Sequence, residues 1–113
     1  MPYKEREITK LYYSIGEVSK LFEVNSSLIR FWESEFDLLK PKKNKKGNRL
    51  FTQKDLTYLK IIYELVKVKG YTLEGAKRAL KDDRNTLLEK QNLIDALSKI
   101  KIQLESLKKD LYY

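Results

Sequence analysis

The sequence predicts a mainly α fold: a small helical domain interrupted by one basic hairpin and followed by a C-terminal coiled-coil helix. Three observations carry this. Helix-start signals recur along the chain, each ahead of apolar residues at helical spacing. One interruption, Lys40 to Arg49, holds six cations in ten residues and no acid. From Leu93 to Leu111, leucine and isoleucine alternate by four and three.

Residues 1–11 mix charges with scattered apolar side chains and read as a lead-in. The first helix begins at Ser14, which with Glu17 forms an S-x-x-E capping box; Tyr13 and Val18 complete a hydrophobic staple. Ile15, Val18, Leu21 and Phe22 recur at helical spacing and face inward. Val24 and Asn25 interrupt, and Asn25 starts a second helix running to about Phe36. Leu28, Ile29, Trp32 and Phe36 form its apolar stripe, whereas Ser26, Arg30, Glu33 and Asp37 form a polar one, with Ser27 and Ser34 beside it.

Pro41 argues against helix after Leu39, and Gly47-Asn48 supplies a turn able to take positive φ, so KPKKNKKGNR reads as a two-stranded hairpin. Thr52 and Asp55 open a third helix, with Leu56, Leu59, Ile62, Tyr63 and Val66 on its buried face and Gly70 just past its end. Thr72 caps a short fourth helix carrying Leu73, Ala76, Ala79 and Leu80. Lys81 to Asn85 reads as a polar junction, and Thr86 with Glu89 as the cap of the last helix. In that helix Leu97, Leu104 and Leu111 take a positions and Leu93, Ile100 and Leu107 take d positions. Leu87 and Leu88 fall out of this phase.

Composition narrows the chemistry. At 113 residues the chain is long enough for one domain with a modest core. Its formal net charge of +8 points to a polyanionic partner. Without cysteine or histidine it has no thiolate metal site and no histidine acid–base catalysis, so neither cofactor nor enzymatic activity is expected. The charged N-terminus lacks a signal-like apolar run, and no stretch approaches about 18 apolar residues. A cytoplasmic protein without a membrane partner is therefore expected.

A polar helix face beside a dense cationic hairpin is suited to duplex DNA, where base edges meet the helix and phosphates meet the loop. Ser26, Ser27 and Arg30 are the candidate readers; Lys42, Lys43, Lys45, Lys46, Asn48 and Arg49 are the candidate backbone contacts. Each has a plainer alternative. Arg30 could pair with Glu33 or Ser34 on the surface, and a lysine run could be a solvated loop. The seam of Leu93, Leu97, Ile100, Leu104, Leu107 and Leu111 is the candidate dimerisation surface; its alternative is packing back onto its own domain.

Taken in order, YSIGEVSKLFEV, VNSSLIRFWE, LLKP, GNRLFT and KGYTLEGAK followed by the leucine helix resemble the MerR family of bacterial transcription regulators over about residues 12 to 111. The resemblance implies a winged helix-turn-helix DNA-binding domain at 12–81 and a dimerisation coiled coil at 86–113, pairing antiparallel as a homodimer. It implies double-stranded DNA as partner, a pseudo-palindromic promoter operator, and distortion of that DNA to the benefit of RNA polymerase. It assigns Arg30 to a DNA contact, Ser26 and Ser27 to the groove-facing helix start, and Arg49 to a wing phosphate. The chain departs from the family pattern at Phe31-Trp32, where tyrosines are common, and between Glu33 and Leu39, which lacks the usual glycine. No effector domain is expected after the coiled coil. An architectural or excisionase-like DNA-bending protein fits the same fold, and a coiled-coil interaction adaptor is the alternative outside DNA binding.

Overall fold

The computed structural model describes residues 11–112. The expected lead-in therefore lies outside the described residues except for Leu11, which is exposed. Five helices and one hairpin follow: α1 (Ile15–Phe22), α2 (Ser26–Glu35), β1 (Lys42–Lys43), β2 (Arg49–Leu50), α3 (Gln53–Tyr63), α4 (Leu73–Asp82) and α5 (Arg84–Tyr112).

The expected capping boxes form. Ser14 Oγ accepts from the Glu17 amide at 3.2 Å while the Glu17 carboxylate takes the Ser14 amide at 3.2 Å. At α3 the buried Asp55 takes the Thr52 amide at 3.0 Å, and Thr52 Oγ1 accepts from the Asp55 amide. Satisfying these otherwise orphaned amides fixes where each helix begins. Asn25 occupies the N-cap of α2, but its side chain makes no capping bond.

The turn between α1 and α2 is tight. Glu23 adopts φ 54°, and Val24 returns its amide to the Ser19 carbonyl at 3.0 Å. Tyr13 pairs with Phe51 as an antiparallel bridge, its amide and carbonyl each bonded at 2.8 Å. The residue before the N-cap of α1 is thereby stitched to the base of the hairpin, and both side chains are buried.

The core gathers Val18, Phe22, Ile29, Trp32, Phe36, Phe51, Leu56, Leu59 and Ile62 with their neighbours. Trp32 meets Tyr63 edge-on, with ring centroids 6.4 Å apart. α3 is central and buries more than its expected single stripe: Tyr58, Ile61 and, just beyond the helix, Leu65 are buried too. The chain then passes through a π-helical turn, Glu64–Val68, in which Lys69 donates to the Glu64 carbonyl. Gly70, at φ 74°, turns the chain out of it. Thr72 caps α4, accepting the Gly75 amide at 3.0 Å.

The expected junction at 81–85 requires correction. α4 continues through Asp82, α5 begins at Arg84, and Asp83 alone breaks the helix. Thr86 therefore lies within the first turn of α5, past the position of an N-cap. Arg84 explains the early start: its Nη2 and Nε donate to the Tyr58 hydroxyl at 2.7 and 3.2 Å, holding the first turn against α3. Leu87 and Leu88 pack against the core, consistent with their place outside the heptad phase. α5 spans about 43 Å at 1.5 Å per residue. Along it Leu93, Leu97, Ile100, Leu104, Leu107 and Leu111 are between 51% and 75% exposed.

Candidate nucleic-acid interface

α2 presents two faces. Ile29, Trp32 and Phe36 are buried, while Ser27, Arg30, Ser34 and Asp37 are exposed and Ser26 is half-buried. The surface-pair alternative for Arg30 does not hold. Glu33 is engaged by Arg49, and Ser34 Oγ donates to the Phe31 carbonyl at 2.6 Å. Phe31, 47% exposed, shares the outer surface with Arg30. It was not among the candidate contacts, although a large apolar side chain on an outward face is itself a signal.

The hairpin is short. Lys42 pairs with Leu50 and Lys43 with Arg49. Asn44 organises the connection: its side-chain carbonyl accepts the Lys46 and Asn48 amides at 2.9 and 3.0 Å, and its backbone carbonyl accepts the Gly47 amide. Gly47, at φ 81°, supplies the left-handed residue that closes the turn. Lys45 and Lys46 consequently occupy the tip. Lys40, Lys42, Lys43, Lys45, Lys46 and Asn48 are all exposed. None of these five lysines joins an ion pair among the described residues. Asn44 was missed as a structural residue; an asparagine entering a turn, with its carbonyl two residues before an amide, was the available clue.

Arg49 behaves differently from its neighbours. Its Nε is bonded to the Glu33 carboxylate, and both side chains are partly buried. This bond ties β2 to α2. An open groove lies at the start of α2, with Ser19, Lys20, Asn25, Ser27 and Lys67 among its lining residues. Two lysines, Lys20 and Lys67, thus line a groove that reaches Ser27 at the start of α2, a feature the sequence pattern did not mark. No His, Cys, Asp or Glu group among the described residues is placed to hold a metal ion. No described helix is long and apolar enough to cross a membrane.

A helix–turn–helix with a basic hairpin behind it and a long terminal helix defines a class of winged-helix regulators. The chain belongs to the MerR family: residues 13–83 match the family described as MerR HTH family regulatory protein. Among curated relatives, it is 38% identical over 71 residues to the HTH-type transcriptional regulator MlrA of Salmonella typhimurium, covering 63% of this chain and 29% of that protein. It is 34% identical over 68 residues to ZntR of Escherichia coli, also an HTH-type transcriptional regulator, covering 60% of this chain and 48% of that one. The matches thus span less than half the length of these relatives.

Among solved structures, similarity is found to HiNmlR, described as a MerR family regulator lacking the sensor domain, bound to promoter DNA. The TM-score is 0.54 at 25% identity, with 90% of this chain and 89% of that chain covered. A MerR-family transcriptional regulator from Bacillus thuringiensis gives 0.51 at 29% identity, covering 90% and 96%.

Proposed function

We propose that this chain is a homodimeric, sequence-specific regulator of transcription that binds a pseudo-palindromic promoter operator and distorts it. One observation carries the reading. The exposed face of α2, with Arg30 at its middle, stands beside a hairpin from which every lysine projects into solvent. Uncompensated charge of this density repels itself and is relieved by a polyanion.

In this reading α2 enters the major groove. Ser26, Ser27 and Arg30 read base edges there, Arg30 having the geometry to take guanine. Lys42, Lys43, Lys45, Lys46 and Asn48 hold phosphates. Arg49 keeps its terminal nitrogens for a phosphate while its Nε holds Glu33, since a guanidinium carries five N–H donors. The exposed a/d seam of α5 pairs with a second copy, because an unpaired stripe of this kind is costly in water. HiNmlR, whose structure includes promoter DNA and which resembles this chain over most of its length, supports the same use of the fold. RNA polymerase at the distorted promoter is the further partner, and the bacterial cytoplasm the setting.

Selection of bound duplexes from a random pool tests the proposal; a single recovered motif with two-fold symmetry is expected. If each head neutralises about five phosphates, log affinity falls with log salt at a slope of about −4.5 per head. Arg30→Ala should cost about 1–3 kcal/mol on the selected duplex and little on random DNA. Lys45→Ala with Lys46→Ala should weaken both alike and flatten the salt slope by about 2. Equal losses from Arg30→Ala on selected and random duplexes would remove it from sequence reading. Bending without an effect on transcription from a promoter carrying the motif would favour the architectural role.

A further inference from the structure

We infer that Lys60, Gln91 and Asp95 form a polar lock that fixes the tilt and rotation of α5 on its own head, making them positioning residues for the spacing of operator half-sites. The inference rests on the dimer reading above. Lys60 Nζ on α3 lies 2.9 Å from Asp95 Oδ1, and Gln91 Nε2 donates to the same oxygen at 3.1 Å. The Lys60 side chain is only 11% exposed, that of Asp95 is 30% exposed, and Gln91 as a whole is 5% exposed. An ammonium so far out of water needs a partner in fixed geometry.

Position along α5 gives the lock its meaning. Gln91 and Asp95 are one turn apart on one helix face. Arg84, two turns earlier, faces the same way and holds Tyr58. Leu93, Leu97 and Ile100 lie outside this stripe and are more than half exposed. The first turns of α5 therefore have two jobs: one face grips the chain's own head, and another is left for a second copy. Apolar contacts such as Leu87 and Leu88 on the core tolerate sliding and rotation, whereas hydrogen bonds converging on one carboxylate oxygen are directional.

The lever arm makes small errors matter. From Asp95 to the end of α5 is about 25 Å, so a tilt of about 10° at the lock displaces the far end by about 4 Å. In an antiparallel pair the partner's head sits beside that end. A displacement of this size exceeds the rise of one base pair, about 3.4 Å. A loosened lock should therefore blur which half-site spacing the dimer accepts, with each head left able to bind.

The test uses the full chain and the duplex it selects from a random pool, with the spacer between half-sites lengthened or shortened in single base pairs. Lys60→Met combined with Asp95→Leu replaces the pair by apolar groups and avoids leaving a buried charge. Asp95→Asn, which keeps the shape, and Gln91→Leu serve as milder variants should the double one fail to fold. Wild type is expected to prefer one spacing. The variants should keep their affinity for an isolated half-site and their dimeric mass, yet lose roughly tenfold of that preference, the ordinary scale of coupling between linked sites. The exchange of Lys60→Asp with Asp95→Lys should restore part of it, which a role confined to stability would not produce. Folded, dimeric variants with an unchanged spacing profile would overturn the lock alone. A wild-type chain that sediments as a monomer on its duplex would overturn the dimer reading and the lock with it.

Discussion

α3 and the distal part of α5 are both helices with regular apolar spacing, but they satisfy it in opposite ways. In α3, six of eleven residues are buried, including Asp55 of its capping box, because other elements surround it. Beyond Asp95, no residue of α5 with a described side chain is buried, and its leucines face solvent. Short isolated helices are marginal in water; most helical stability comes from packing an apolar face. α3 finds its packing within the chain. In the proposed dimer, distal α5 finds it in a second copy, and the two helices should therefore respond differently to the same kind of damage.

The largest effect should come from Leu59→Ala. Leu59 is fully buried on α3, and its truncation leaves a cavity costing about 2–5 kcal/mol. A domain of this size has only about 5–15 kcal/mol in total, so the head should approach or cross its unfolding threshold. Chemical denaturation followed through the fluorescence of Trp32, itself buried in the head, would measure this. The loss should be the same at low and high protein concentration once subunit association is saturated.

Leu104→Asp should act on the other side of the comparison. Leu104 is 60% exposed in the protomer, so the substitution costs the isolated chain little. Placed in a paired seam it buries an uncompensated charge from each copy. Dimer dissociation should be favoured by about 100-fold or more, equivalent to about 2.8 kcal/mol. Sedimentation should report a monomer, and circular dichroism a loss of helix confined to the tail, with the Trp32 environment retained. A monomeric wild type, or a variant as dimeric as wild type, would show that distal α5 is stable by other means.

The same contrast explains what could be read from the sequence. Local devices were legible. The capping boxes at Ser14 and Thr52, the turn at Gly47, the apolar stripe of α2 and the phase shift before Leu93 each involve residues within a few positions of one another. Features set by distant packing were not. One stripe on α3 gave Leu56, Leu59 and Ile62 but not Tyr58 or Ile61, because periodicity marks one buried face and α3 has neighbours on more than one. The polar run KDDRN read as a five-residue junction; the break is Asp83 alone, and Arg84 already lies in α5, reaching Tyr58, 26 positions away. In the candidate interface, Arg30 and the wing lysines were nominated by residue type and spacing together with the family resemblance. The engagement of Arg49 by Glu33 had no signature, since an ion pair across 16 positions is a product of the fold.

The smallest expected effect lies in a third contact between distant residues, where Lys77 of α4 meets Glu35 of α2 at 2.7 Å. The hydrogen bond that Lys77 donates to the Glu35 carboxylate is the main cause that raises the Lys77 ammonium above the usual lysine value of 10.5. Partial desolvation opposes it, and the charges of Glu35, Glu74 and Asp37 add to it. A raised folded-state value means that the contact stabilises the head fully while Lys77 is also charged in the unfolded chain, below pH 10.5. That contribution is lost as pH climbs through the folded-state value. Both side chains are one-third exposed, so water and salt screen the pair and its worth at neutral pH is small. Glu35→Gln should therefore lower the melting temperature slightly near neutrality, by an amount that shrinks in added salt and narrows toward zero in the alkaline range. A gap between variant and wild type that stayed constant through that range would mean that Glu35 acts by packing alone. Because the contact lies wholly within the head, the gap should also ignore protein concentration, as the loss from Leu59→Ala does and that from Leu104→Asp does not.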